Sequence, residues 1–165
     1  MELALSGLFE VSSGEVFLRI GAAAVLGGLV GLNRDLHGKP AGLRTHSVVA
    51  VGAAALALFA LRPVAATLDG NALSRVVQGI VTGIGFLGAG VILRSQDGKH
   101  VHGLTTAATV WLVAALGIGC GMGYWSAVAA MATFTFLVLL CGGAIEKAFH
   151  RRFRPKDDMS EPPNT

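Results

Sequence analysis

The chain has 165 residues, of which 53% are hydrophobic and only 14% are charged, and its mean hydropathy is +0.63. Soluble domains carry about 25% charged residues, and their helices need polar faces that long stretches of this sequence lack. Composition therefore excludes an ordinary soluble domain and predicts one membrane domain, with the lipid bilayer as its surroundings. The net charge of +3 comes from basic residues that flank apolar segments instead of lining a face, which excludes nucleic-acid binding.

The N-terminal residues 1–14 contain two glutamates but no Lys or Arg, whereas a signal peptide starts with a basic region. We expect this segment to lie at the membrane interface. Ser12 followed by Glu15 is typical of a capping box, so the first helix should begin there. Arg19 is the one charge inside that helix, and from the first turn its long side chain can reach the lipid headgroups.

Five apolar segments follow, and their lengths of about 16 to 22 residues suit a hydrocarbon core of roughly 30 Å. They predict an all-α membrane protein, a five-helix transmembrane bundle formed by residues 15–146. The helices are predicted at residues 15–32, 41–61, 74–93, 104–119 and 124–145. Residues 147–165 begin basic and end acidic, which predicts a disordered tail.

Small residues predict where helices pack. Glycine is costly in a water-exposed helix, but in lipid it lets neighbouring backbones touch. We predict helix packing at the paired glycines of the first helix and the dense glycines of the third: Gly27, Gly31, Gly79, Gly83, Gly85, Gly88 and Gly90. The glycine-rich run from Gly117 to Gly123 instead predicts a tight, uncharged turn between the fourth and fifth helices.

The connection between the first two apolar segments concentrates polar groups. Gly38-Lys39-Pro40 should end the first helix, and Pro40 suits the first position of the second. Four side chains here are candidates for an ion site or a partner contact: Arg34, Asp35, Arg44 and His46. The alternative is ordinary anchoring by charges at helix ends, with an ion pair between Asp35 and Arg44.

A second polar group lies on the third and fourth helices. On the third helix, Arg75, Gln78 and Thr82 are three and four residues apart and form one polar stripe. On the fourth helix, threonines occupy the first two turns. The two sets could together line a narrow ion or proton path. Alternatively, they form interhelical hydrogen bonds worth about 0.6 kcal/mol each, or bond to their own helix. The candidate residues are Gln78, Thr82, Thr105, Thr106 and Thr109.

Metal and catalytic chemistry have little support in the sequence. The histidines at positions 37, 46, 100, 102 and 150 fall in loops and at helix ends, where we expect them to be solvated; the alternative is a transition-metal site. Magnesium prefers oxygen ligands, and the inner connections offer too few carboxylates for a dedicated site in one chain. Without a Walker A, HExxH, nucleophile-elbow or dinucleotide motif, we expect no enzymatic activity and no cofactor. Cys120 and Cys141 lack metal-binding spacing and are expected to be buried thiols.

The positively charged residues set the predicted orientation. With the N-terminus outside and the C-terminus in the cytoplasm, ten basic residues fall on the inner side and two, Arg62 and Arg75, on the outer side. The inner ten are Arg34, Lys39, Arg44, Arg94, Lys99, Lys147, Arg151, Arg152, Arg154 and Lys156.

The chain resembles the transmembrane domain of the MgtC/SapB family in three motifs of matching order and spacing, over residues 15–145. These are GLNRDLHGKPAGLRTH (31–46), GIGFLGAGVILR (83–94) and GLTTAATVWLVAALGIGCG (103–121). The resemblance implies a bacterial inner-membrane protein linked to magnesium limitation, ion homeostasis and virulence. The founding member has a soluble C-terminal domain, which the short tail here cannot form, and an Asn where this chain has Thr105. Functions that depend on that domain or that amide are therefore not implied.

We interpret the chain as a non-enzymatic, multi-pass protein of the inner membrane that modulates another membrane complex. The family resemblance alone names F-type ATP synthase as that complex. The alternative is a small transporter or channel for Mg²⁺ or protons. It would be a homo-oligomer, because five helices leave little room for a pore in one chain.

The orientation can be tested with a reporter fused after Thr165. The excess of basic residues on the C-terminal side predicts that a fluorescent reporter fused there is active in the cytosol. Alkaline phosphatase, which is active only outside the cytosol, should be inactive at the same position. Activity of the phosphatase fusion would contradict the predicted orientation.

Overall fold

The computed structural model describes residues 11–61, 70–94 and 101–153. Within these ranges the helices are α1 (Ser13–Leu36), α2 (Leu43–Ala60), α3 (Gly70–Val91), α4 (Leu104–Met122) and α5 (Trp125–Phe153). Each is long and apolar enough to cross a membrane, so the prediction of a five-helix, multi-pass membrane protein is confirmed. The predicted interfacial segment, the tip of the third connection and the end of the tail lie outside the described residues.

Residues up to Ala132 form one compact unit, and the chain from Thr133 onward forms a second. In the first unit, contacts at both ends of α4 place it antiparallel to α1, since Arg19 bonds to Gly121 and Arg34 to Thr106. The α2 and α4 helices run parallel. The α4 helix is the most enclosed of the five, with 50% of its span buried.

The two ends of α1 are defined by local hydrogen bonds. Ser12 Oγ accepts from Glu15 N at 3.3 Å, as the predicted cap requires, but the Glu15 carboxylate bonds to Arg19 and does not return to the cap. At the other end Gly38 adopts φ 60°, and Lys39 N donates to Arg34 O at 3.0 Å. This is a Schellman motif, which satisfies the last carbonyls of the helix.

The second helix begins later than predicted. Its first residue is Leu43 and its N-cap is Gly42, so Pro40 lies in the connection and not at the first helical position. Ala41, between them, adopts a left-handed φ of 57°, which is costly for a residue with a Cβ. The connection is therefore a shaped turn that sets the angle between α1 and α2.

Small residues let α1 approach α2. A Cβ added at Gly27 would lie 2.6 Å from His46 O, and one added at Gly31 would lie 2.6 Å from Leu43 Cα. Both distances are shorter than van der Waals contact, so only glycine fits. The structure thus places Gly27 and Gly31 at a helix contact, as the sequence predicts.

The α4 helix packs on α2 through glycines that were predicted to form a turn. Gly117 and Gly121 lie inside α4, which continues to Met122, and a Cβ on either would overlap the backbone of Ala50 or Ala54. Gly117 and Gly121 have the same four-residue spacing as Gly27 and Gly31, which is the small-xxx-small pattern of closely packed membrane helices. The prediction of a turn over this run is therefore wrong except at Gly123, whose φ of 73° ends α4.

Within the described chain, four of the five α3 glycines predicted to pack have no neighbour close to them. A Cβ added at Gly79, Gly83, Gly85 or Gly90 would meet nothing within 4 Å, and at Gly88 it would make an ordinary contact of 3.6 Å with Ala107. Gly79, Gly83, Gly85 and Gly90 are exposed, whereas Gly88 is buried on the same side of α3 as Ile80 and Ile84. The α3 helix thus contacts its neighbours mainly with bulky residues and exposes most of its glycines.

Three further features differ from prediction. The connection between α3 and α4 contains a short antiparallel pair, β1 (Leu93–Arg94) and β2 (Val101–His102), where a loop was expected. The α5 helix continues to Phe153, so the segment predicted as tail from residue 147 begins inside a helix. Of the two cysteines expected to be buried, Cys120 is buried and Cys141 is exposed, and both are free.

Glycine-to-alanine substitutions should separate the two kinds of glycine. Gly117→Ala forces a methyl group against the α2 backbone and should destabilise the protein by about 1–3 kcal/mol, the usual cost of overpacking. Gly79→Ala, in open space on α3, is the matched control and should not destabilise it. The measurement is unfolding of the detergent-solubilised protein by SDS titration, and equal midpoints for the two variants would contradict the α2–α4 contact.

Candidate functional site

Four polar side chains meet inside the first unit, where α1 ends and α2 and α4 begin. They are Arg34, His46, Thr106 and Thr109, and we call them the polar cluster. All four are less than 9% exposed, and His46 is fully buried. Buried polar groups are rare in membrane helices unless they are paired or functional, so this cluster is the strongest candidate for a site.

Arg34 occupies the boundary between α1 and α4. Its Nη2 donates to Thr106 Oγ1, at the third position of α4. Its Nε is buried and has no hydrogen-bond partner, and no carboxylate forms an ion pair with the guanidinium within the described residues. The cluster therefore contains a buried cation that is only partly satisfied.

His46 joins α2 to α4. Its Nδ1 lies 3.0 Å from Gly42 O, and its Nε2 lies 3.1 Å from Thr109 Oγ1. Thr109 Oγ1 in turn donates to Thr106 O at 2.9 Å. The expectation that the histidines are solvated is wrong for His46, because its position in the first turn of α2 faces α4 and not the membrane surface.

Asp35 caps α2 instead of pairing with Arg44. Its Oδ2 accepts from Leu43 N at 2.9 Å, and no ion pair joins it to Arg44 within the described residues. A carboxylate is well placed there, because it satisfies an unpaired N–H and complements the positive end of the helix. The carboxylate lies so close to Gly42 that no Cβ could be accommodated at that residue.

The remaining predicted site residues lie outside the cluster. Arg44 and Thr105 are exposed near it, whereas Gln78 and Thr82 are exposed on α3. Thr82 Oγ1 donates to Gln78 O at 2.8 Å, so this threonine bonds to its own helix. The described residues do not form the predicted joint path along α3 and α4, because Gln78 and Thr82 are exposed whereas Thr106 and Thr109 are buried.

The pattern of small residues could have identified the cluster from the sequence. On each helix the polar residue continues a buried stripe with helical spacing. The stripes are Ala23, Gly27, Val30 and Arg34 on α1, and His46, Ala50, Ala53, Ala54 and Ala57 on α2. A polar side chain on the same face as such a stripe is directed into the contact, which indicates burial.

The opposite end of α4 carries a second arginine in a contrasting environment. Arg19 Nη1 donates to Gly121 O at 2.9 Å, and its Nε donates to Glu15 Oε1 at 3.0 Å. Arg19 thus forms hydrogen bonds within the protein, and its contact with lipid headgroups stays a prediction. Arg19 therefore has both a carboxylate and the negative end of a helix as partners, whereas Arg34 has neither from α4.

An apolar groove of about 250 Å³ lies on the face of α4 away from the cluster. It has almost no polar lining, so in a bilayer its natural contents are hydrocarbon. Its lining residues are Val77, Val81, Ile84, Trp111, Ala114, Ala115, Ile118 and Met131.

Comparison with known proteins places the chain among named relatives. It is 45% identical over 135 residues to Protein SrpB of Synechococcus elongatus, a match that covers 75% of this chain and 72% of the relative. It is 41% identical over 129 residues to Protein MgtC of Salmonella typhimurium, covering 78% of this chain and 51% of that protein. Protein MgtC of Brucella abortus is 43% identical over 120 residues, covering 72% of this chain and 48% of that protein.

The chain thus spans about half the length of the MgtC relatives and nearly three quarters of SrpB. No solved structure matches it. The MgtC family matches residues 20–148, which include all of the polar cluster and most of the five helices. With most of its length matched in this way, the chain belongs to the MgtC family.

Proposed function

We propose that this protein is a non-enzymatic component of the bacterial inner membrane that modulates another membrane complex by binding one of its transmembrane helices along α3. The excess of basic residues supports a cytoplasmic C-terminus and an external N-terminus. The observation that carries the proposal is the exposed face formed by Gln78, Gly79, Thr82 and Gly83. We call this face the α3 surface.

The Gln78 amide is the first argument for a partner. It lies about two turns inside α3, at 3.6 residues per turn, and it forms no side-chain hydrogen bond within the described residues. Lipid tails offer no donors or acceptors, and an unpaired amide in an apolar environment costs about 1–3 kcal/mol. A neighbouring transmembrane helix with a polar side chain at this depth would remove that cost.

The open glycines are the second argument. Gly79 and Gly83 share a face with Gln78 and have open space around them, so another helix can approach the α3 backbone closely. In lipid, such close approach replaces the hydrophobic effect as the main source of helix association. An amide and two open glycines on the same face therefore support a helix, and not lipid alone, as the occupant.

The family gives the biological setting of the proposal. The relatives are named MgtC and SrpB, and the resemblance implies a role in magnesium limitation and ion homeostasis, with F-type ATP synthase as the first complex to test. The chain spans about half of the MgtC relatives, so a role that depends on the rest of those proteins is not carried over.

Transport of Mg²⁺ is the less favoured function. The buried polar cluster contains the Arg34 cation, which would repel a divalent cation at that point. Within the described ranges, no three His, Cys, Asp or Glu side chains come together as a metal site. The polar cluster thus has the wrong charge for a magnesium path. Proton transport, the other form of this alternative, would depend on His46 as the titratable group of the cluster.

Photocrosslinking from α3 tests the modulator role. Phe86 is 82% exposed on the same face, so a photoreactive phenylalanine analogue at this position should crosslink in native membranes to a subunit of another complex. Gly83→Leu fills the open space beside this glycine and should reduce the crosslink at least about tenfold, which corresponds to some 1.4 kcal/mol. The products are identified by mass spectrometry, with ATP synthase subunits as the first candidates.

Two controls make the crosslinking result specific. Gly52→Leu adds the same side chain at an open position on α2 and should leave the crosslink unchanged. The analogue at Phe59, exposed on α2, should not capture the same subunit. Crosslinks only to a second copy of this chain would replace the modulator by a homo-oligomer, and equal yields from both positions would refute the role of α3.

Flux through the purified protein tests the alternative. Proteoliposomes that contain only this protein should show no Mg²⁺ or proton flux above that of empty liposomes, measured with fluorescent indicators. Flux that is present in the wild type and lost in Asp35→Ala would establish transport and contradict the modulator.

A further inference from the structure

The first turn of α4 leaves its N–H groups without partners. The N-cap Gly103 has no side chain to accept a hydrogen bond, and the N–H groups of Leu104, Thr105 and Thr106 have no acceptor within the described residues. The parallel helix α2 begins at the same end, and there Asp35 provides a carboxylate. Of these two neighbouring helix starts, α2 is capped by an anion and α4 has no anionic cap among the described residues.

A capping side chain cannot be added at Gly103 itself. Its φ is 92°, and a Cβ at this position would overlap the carbonyl oxygen of Val91. The N-terminus of α4 is therefore built in a form that excludes the residues that normally cap helices. An acceptor for its N–H groups must come from elsewhere.

Arg34 adds a buried positive charge at the same turn. Its guanidinium bonds to Thr106 Oγ1, it is only 6% exposed, and its Nε has no partner. The N-terminus of α4 already carries a partial positive charge from the helix dipole, so the arginine increases the positive potential there. Arg19, by contrast, is placed at the negative end of the same helix and has a carboxylate.

We propose that the first turn of α4 and Arg34 form a binding site for a phosphate group. Three N–H groups and a guanidinium are donors for an anion with more than two acceptor oxygens, which favours phosphate over a carboxylate. Leu104 and Thr105 are exposed, so the turn is accessible from the membrane edge. Lys39 and Arg44, also exposed near this edge, attract anions toward it.

Two sources share this chemistry: the headgroup of an anionic phospholipid and free inorganic phosphate. The site lies at the end of a membrane span, where headgroups are concentrated, and the same position is open to dissolved ions. The site does not involve the α3 surface, and so its test is independent of the modulator proposal.

The test measures thermal unfolding of the full-length protein in nanodiscs. Two probes are used: phosphatidylglycerol in place of phosphatidylcholine, and inorganic phosphate added to phosphatidylcholine nanodiscs at constant ionic strength. We expect at least one probe to raise the unfolding temperature of the wild type. A rise with the lipid alone or with phosphate alone supports the site and identifies its source, whereas no rise with either overturns it.

A substitution at Thr105 supplies the anion from within the chain. Thr105→Asp should stabilise the unliganded protein and abolish the response to both probes, because its carboxylate occupies the first turn. Thr105→Asn has a side chain of the same shape without the charge and should keep the response. A response of equal size in Thr105→Asp and Thr105→Asn would overturn the proposal.

Substitutions of arginine test the source of the charge. Arg34→Gln should weaken the apparent affinity about tenfold, the loss of one charge-assisted contact, and Arg34→Lys should retain most of it. Arg44→Gln removes an exposed charge that only attracts anions toward this edge, so it should weaken the affinity less than Arg34→Gln does. If Arg34→Gln does not fold, Thr105→Asp still decides the outcome. An equal stabilisation by acetate would overturn the assignment to phosphate.

Discussion

The close contact between α4 and its neighbours α1 and α2 is the constraint on which the described structure depends. Lipid tails are as apolar as leucine, so helices in a membrane gain little from hiding apolar surface from each other. Contact at the level of the backbone replaces that driving force. Gly117 and Gly121 bring α4 against α2, and Gly27 and Gly31 bring α2 against α1. With the helices this close, polar side chains at their ends reach one another and become buried.

The two arginines of α1 show how the same residue type can have opposite consequences. Arg19 and Arg34 are fifteen residues apart, as are their partners Gly121 and Thr106 on α4, because antiparallel helices advance by the same rise per residue. Arg19 meets carbonyl groups and a carboxylate, and is a structural clamp. Arg34 lies in the last turn of α1, which favours a cation, but it contacts the positive end of the α4 dipole. Its Nε has no partner within the described residues, so the two arginines differ in how fully they are satisfied.

The sequence predicts the number of helices and most of their limits, because length, hydropathy and the break at Gly38-Lys39-Pro40 are local signals. It also predicts the capping role of Ser12 and a polar site near Arg34. It does not predict which glycines pack, because glycine density marks exposed and buried faces alike. The α3 glycines are the denser set and all but Gly88 are open, whereas those of α4 lie in a run that resembles a turn. Burial of His46 follows from its position on the alanine face of α2, which is visible only when the stripe is traced through the whole helix.

Thr109 places a limit on the histidine beside it. Its hydroxyl has one hydrogen, which the geometry directs to Thr106 O, and in that arrangement only its lone pairs face His46 Nε2. His46 Nδ1 also faces an acceptor, the carbonyl of Gly42. A neutral imidazole has one N–H and can donate to only one of these two acceptors. It forms hydrogen bonds at both nitrogens only if the Thr109 hydrogen turns toward Nε2. The direction of the Thr109 hydroxyl hydrogen therefore depends on whether the His46 ring carries one proton or two. Thr109 bonds to the carbonyl oxygen of Thr106, and the hydroxyl of the same Thr106 accepts from the Arg34 guanidinium.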